Sequence, residues 1–194
     1  MKFGGIVIVG IGGTGVLKAS EILSRFLLYQ GFDVRQSEVH GMAQRGGSVI
    51  THLKYGEKVY SPLLGKGEAQ FMIATEEVEA LRYSEFLSSD ATIIINTWRL
   101  NPVGTKPDPY TGFSARLLRE KGIPVYEIDA NSIAESLQNS RVANSVLIGA
   151  FSKIFNFDNE NIWEEVIKET FPQKLFDINL TAFLKGRESI AKIN

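Results

Sequence analysis

The sequence contains no cysteine and only two histidines, His40 and His52. Without a thiol it has no disulfides, thiolate nucleophiles, cysteine-held iron–sulfur clusters or thiolate zinc sites. Two imidazoles fall short of a structural zinc set, so no metal site is expected. Charge of one sign is missing as well: 21 Lys+Arg stand against 22 Asp+Glu, a formal net charge of −1 at pH 7. Nucleic-acid surfaces carry a basic excess, so no nucleic-acid partner is expected. No apolar run approaches the roughly 18–20 residues of a spanning helix. The glycine-cut stretch from Gly4 to Gly15 lacks the leucine-rich core and cleavage site of a signal peptide. A cytoplasmic location with no membrane contact is the expectation.

What is present reads as a globular protein: 194 residues, 44% hydrophobic, with 18 Gly. This length suits one domain over residues 1–194. Phe3 to Val9 is a β-branched run, a strand ending at Gly10. Thr14 to Tyr29 spaces Val16, Leu17, Ile22, Leu23, Phe26 and Leu27 as an amphipathic helix closed by Gly31. Strands are expected at Asp33 to Glu38, Ser48 to Tyr55, Phe71 to Ala74, Ala91 to Asn96 and Pro124 to Ile128. Tyr55 to Val59 reads as a turn returning to Tyr60, which makes Ser48–Tyr60 an antiparallel hairpin. Helices are expected at Glu76 to Phe86 and Ser114 to Lys121, the latter capped by Ser114. Asn101 to Gly112 holds three of the six prolines and reads as a loop. From Asn131 the pattern is helical, with breaks near Phe157 and Pro172. Strands alternating with helices, several apolar on both faces, imply an α/β fold. The expected form is a Rossmann-like, mostly parallel sheet covered on both faces, with an antiparallel hairpin.

Two segments offer chemistry. Gly10, Gly12 and Gly15 fit G-x-G-x-x-G after a strand and before a helix, with Gly13 and Thr14 between them. Such a loop brings backbone close to a phosphate at a helix N-terminus. With Glu38 at the end of the second strand it could serve a nicotinamide or flavin nucleotide, another anion, or helix packing alone. The second segment, Ser37 to Ser48, collects Glu38, His40, Gln44, Arg45 and Ser48 among glycines. Arg45 could clamp a carboxylate or phosphate and His40 could relay a proton; equally, a Glu38–Arg45 pair could tie a surface loop. Glu76, Glu77 and Glu79 suit the first turn of a helix. Gly149-Ala150 suits a close helix contact. Trp98 and Arg99 lie on the crevice side of the sheet.

The run Glu38-Val39-His40-Gly41-Met42-Ala43-Gln44-Arg45-Gly46-Gly47-Ser48-Val49, preceded by the Gly10–Gly15 loop, resembles the gamma subunit or domain of 2-oxoacid:ferredoxin oxidoreductases. Within that family it looks most like the small (beta) subunit of the indolepyruvate-oxidising members. Further resemblance lies in Val59–Leu63, Glu79–Tyr83, Asn144–Gly149 and Asn179–Gly186. The resemblance implies oxidative decarboxylation of a 2-oxoacid with coenzyme A (CoA), giving acyl-CoA, CO2 and reduced ferredoxin. It implies thiamine diphosphate and iron–sulfur clusters in a larger partner subunit, ferredoxin met through the complex, and a chain inactive alone. It makes Glu38, His40, Gln44, Arg45 and Ser48 composite-site candidates, with Arg45 foremost for an anion. It makes Gly10, Gly12, Gly13, Thr14 and Gly15 a phosphate or CoA loop, or a support for the first helix. The competing reading is a free-standing NAD(P)- or flavin-dependent oxidoreductase.

Overall fold

The computed structural model describes residues 3–40, 46–100, 113–155 and 159–191. The strands are β1 (Phe3–Ile11), β2 (Asp33–His40), β3 (Ser48–Gly56), β4 (Ala69–Ala74), β5 (Leu87–Asn96) and β6 (Val125–Ile128). The helices are α1 (Val16–Tyr29), α2 (Glu77–Arg82), α3 (Phe113–Glu120), α4 (Ala130–Ser136), α5 (Ala143–Ile154), α6 (Glu160–Thr170) and α7 (Gln173–Ala191). Six strands form one sheet in the order β2-β3-β1-β4-β5-β6, in which only β3 runs against the others.

Strand β1 is apolar on both faces because both are covered. Ile6 and Ile8 join a core with α1, α5, α6 and α7, while Val7 and Val9 face α2 and α3. This period-two division is why the run reads as continuous hydrophobicity rather than alternation. The mostly parallel, two-faced architecture is therefore as expected.

The antiparallel hairpin exists but joins β2 to β3, not Ser48–Tyr55 to Tyr60. Both edges of β3 are taken, by β1 on one side and β2 on the other, so no edge is left for a returning strand. The chain after Gly56 is instead held by side chains. Val59 N donates to Asp33 Oδ2 at 3.0 Å, and Leu64 N donates to His52 Nδ1 at 3.3 Å. Other boundaries shift, among them the start of β5, which begins at Leu87 rather than Ala91. Helix α1 starts at Val16 because Gly15, with φ of 83°, caps it. Glu76 to Phe86 divides into α2 and a 3-10 turn at Ser84–Phe86. Ser114 lies inside α3 rather than capping it, and its N–H donates to Glu77 Oε1 at 3.2 Å. The C-terminal helical stretch has an additional break, a 3-10 turn at Ser140–Val142. The proline-rich Asn101–Gly112 loop and Phe157 lie outside the described residues.

His52 carries a pH consequence. It is buried, accepts a hydrogen bond at Nδ1, and burial holds its pKa below the usual imidazole value of 6.5. A proton is therefore bound more readily by the unfolded chain than by the folded one. This contribution to stability is complete above 6.5 and is lost as pH falls from there through the folded value. Between about pH 7.5 and about pH 5.5 the melting temperature should drop more in the wild type than in His52→Asn. Equal drops in thermal melts of the two would refute this.

Candidate functional site

Strands β1, β4 and β5 run parallel and end on the same edge of the sheet, at Ile11, Ala74 and Asn96. Open α/β sheets bind ligands outside such carboxyl ends. Here a cleft of about 470 Å³ opens between the loop after β1, the residues after β4 and β5, and the start of α5. Polar side chains stitch its floor. Thr14 Oγ1 donates to Ile11 O at 2.8 Å and lies 2.8 Å from Thr75 Oγ1. Asn96 Nδ2 reaches Thr75 O at 3.1 Å and Asn131 Oδ1 at 2.8 Å, while its Oδ1 accepts from Ala130 N. Asn144, on α5, donates from Nδ2 to Thr14 O at 2.6 Å.

The glycine loop has the form its spacing implies. A Cβ on Gly10 would stand 2.0 Å from Thr75 Oγ1, and one on Gly15 would stand 2.1 Å from Asn144 Nδ2. Gly13 has φ of 98° and open space beside it. The loop thus brings bare backbone to the cleft at the N-terminus of the 14-residue helix α1. No carboxylate borders the cleft among the described residues, and Arg141, an exposed residue, is its one cation. Partial positive charge at the helix start and a guanidinium across the opening make an environment for an anion.

Glu38 is half-buried and lies on the other side of the glycine loop, where a smaller cleft of about 280 Å³ is bordered also by Leu17 and Val49. Strand β3 separates its strand from β1, one spacing further than an acid on an adjacent second strand. The Gly12 N–H is moreover taken by Gly47 O at 2.7 Å, and Gly46 N returns to Gly12 O at 3.3 Å. Both features weigh against a dinucleotide spanning β1 and β2. They also join the two sequence motifs, because Gly46–Ser48 sits directly against the glycine loop. His40 ends β2 opposite Val49, its side chain outside the described residues, as are Gln44 and Arg45.

Ser48 Oγ donates to Glu79 Oε2 and lies 2.8 Å from Tyr83 Oη, and Arg82 Nε donates to Glu79 Oε1 at 3.0 Å. The acids after β4 do open α2, as their spacing implies, but all three are buried and each holds another segment. Glu76 accepts from Glu79 N at 3.0 Å and Leu100 N at 3.4 Å. Burial pushes its carboxyl above the ordinary value of 4.5. Glu77 accepts from Arg99 Nε at 2.6 Å. Sequence reading did not single out Thr75, Asn96, Asn131, Arg141 or Asn144. The one available signal was Asn144 at the head of a segment already noted for its resemblance.

Comparison with known proteins gives the chain a family and its fold solved counterparts. The family model described as pyruvate ferredoxin/flavodoxin oxidoreductase matches residues 5–189. The indolepyruvate oxidoreductase subunit IorB of Archaeoglobus fulgidus is 38% identical over 187 residues, covering 93% of this chain and 92% of the relative. Among solved structures, the gamma subunit of a keto/oxoacid ferredoxin oxidoreductase from Geobacter sulfurreducens superposes with a TM-score of 0.73 at 19% identity, covering 97% of this chain and 99% of its own. A 2-oxoglutarate:ferredoxin oxidoreductase from Magnetococcus marinus, described with 2-oxoglutarate, coenzyme A and succinyl-CoA bound, gives 0.77 at 19% identity. That match covers 100% of this chain but 32% of the longer one.

Proposed function

The chain belongs to the pyruvate ferredoxin/flavodoxin oxidoreductase family, and from that membership we propose that it is the non-cluster subunit of a cytoplasmic 2-oxoacid:ferredoxin oxidoreductase acting on indolepyruvate or a similar arylpyruvate. In this reading residues 1–194 form one gamma-type domain, inactive alone. The complex converts the oxoacid and CoA to acyl-CoA and CO2 and passes electrons to ferredoxin. The residues present do not fit the redox groups: the sequence has no cysteine, and no metal-binding cluster of His, Asp or Glu occurs among the described residues. Iron–sulfur clusters and thiamine diphosphate, which carry the decarboxylation and electron chemistry, are assigned to a larger partner subunit.

This chain's own task is to hold the phosphate-bearing part of CoA. The observation that carries this is the carboxylate-free cleft formed by Gly13–Gly15, the start of α1 and Arg141. Its volume is in the range of small-molecule pockets. The CoA described in the Magnetococcus relative supports the same reading. Glu38, His40, Gln44, Arg45 and Ser48 then form an interface element lining the composite site, with Arg45 directed to an anionic group. A charge-assisted contact contributes roughly 1.5–3 kcal/mol. Arg45→Ala in the reconstituted complex should therefore raise the KM for CoA or oxoacid by at least about tenfold. Full assembly with an unchanged KM would remove Arg45 from the site. Titration of the purified chain with NADH and NADPH separates the competing reading: saturable, tight binding would favour a free-standing nicotinamide enzyme.

A further inference from the structure

We propose that Trp98 is the aromatic wall on which the purine base of the bound nucleotide stacks, and that Glu77 is the positioning residue that fixes it there. The proposal rests on the assignment of a CoA-type ligand to the cleft and adds the feature that distinguishes a nucleotide from a bare phosphate. Trp98 is half-buried and is the only aromatic side chain bordering the 470 Å³ cleft among the described residues. Glycine loop, helix start and Arg141 supply an anion site on the same cleft. An anion site and an indole sharing one opening match a ligand with both phosphate and base.

The backbone on each side of Trp98 is pinned. Thr97 N donates to Ile128 O at 3.0 Å, and the Trp98 carbonyl accepts from Glu77 N at 3.2 Å. Arg99 Nε donates to Glu77 Oε2 at 2.6 Å, and Leu100 N donates to Glu76 Oε1 at 3.4 Å. Three of these four bonds come from the beginning of α2. Glu77 is 2% exposed, so its pair with Arg99 is desolvated. Satisfying a helix dipole requires only a surface acid; a buried one that grips the residue after Trp98 has a positional role. With the backbone held, the indole retains only two side-chain torsions and is presented at low entropic cost.

Stacking on an aromatic side chain strengthens binding of a base by a factor of roughly five to 150. The test uses the complex reconstituted with its large subunit, assayed with CoA and with phosphopantetheine, which lacks the 3′-phosphorylated AMP portion and with it the purine. Trp98→Ala should raise the KM for CoA about tenfold, leave kcat nearly unchanged, and leave the KM for phosphopantetheine unaltered. Trp98→Phe should restore most of the loss. Glu77→Gln should act like Trp98→Ala on CoA and add little to it in the double variant, as for residues acting through one another. Should Glu77→Gln fail to fold, the Trp98 variants decide alone. Fluorescence of the full chain gives a second readout, because the other tryptophan, Trp163, is fully buried and stacked on Phe26. CoA should quench Trp98 emission in the wild type. Equal changes in KM for CoA and phosphopantetheine, or no change for either, would overturn the proposal. A complex that never saturates with CoA would instead bring down the cleft assignment itself. If Gly15→Ala raises the KM and Trp98→Ala does not, the cleft assignment stands and this proposal alone falls.

Discussion

Gly15→Ala should weaken CoA binding by the complex at least about tenfold while leaving the chain folded. The substitution meets two costs together. With φ of 83°, Gly15 lies in the left-handed region, where a side chain costs about 1–2 kcal/mol. The new Cβ would stand 2.1 Å from Asn144 Nδ2, so the amide must swing away and give up its 2.6 Å bond to the Thr14 carbonyl. Losing that bond costs roughly another 0.5–1.5 kcal/mol, and the wall of the anion cleft moves with it. Gly13→Ala separates the two costs. Gly13 also has positive φ but faces open space, so only the strain remains. Its KM for CoA should rise by less than that of Gly15→Ala. Equal effects in steady-state assays would mean that Asn144 does not shape the cleft.

Gly149→Ala should lower the melting temperature by about 10 °C, from a loss of roughly 3 kcal/mol at the upper end of overpacking effects. Helices α5 and α7 meet where neither can hold a side chain. A Cβ on Gly149 would lie 1.9 Å from Phe183 O, and one on Gly186 would lie 2.0 Å from Val146 O. Both neighbours are backbone atoms, which cannot rotate aside, so relief requires the helices to separate. Separation would also loosen the buried Ser145 Oγ to Asn179 Oδ1 bond of 2.6 Å between the same helices. Because one separation relieves both clashes, Gly149→Ala and Gly186→Ala combined should cost less than the sum of the single losses. A thermal melt of Gly149→Ala matching the wild type would contradict this packing.

Much of this architecture could be read from local pattern. Strand β1, its glycine loop and α1 were legible because their signals are short-range: a β-branched run, obligatory glycines and three-and-four apolar spacing. The Gly149 notch was legible because glycine in an apolar helix has few uses. Pairing was not. Ser48 to Tyr55 has the composition of a strand, but nothing local says that β2 and β1 occupy its two edges. Tyr55–Val59 accordingly resembled a hairpin turn. The cleft was half legible. Its glycines carried a recognisable spacing, whereas Asn96, Asn131 and Asn144 act through contacts made only after the sheet and α5 assemble. Glu77 and Glu79 looked like ordinary helix-start acids because burial, not residue type, sets their role.

The role proposed for this chain is to supply the CoA cleft to a larger oxidoreductase. Its most direct test is indolepyruvate-dependent ferredoxin reduction by the large subunit, measured against CoA concentration with and without this chain. A rate that saturates with CoA only when the chain is present, and needs more CoA when the chain carries Gly15→Ala, is the predicted result. The same CoA dependence from the large subunit alone would contradict it.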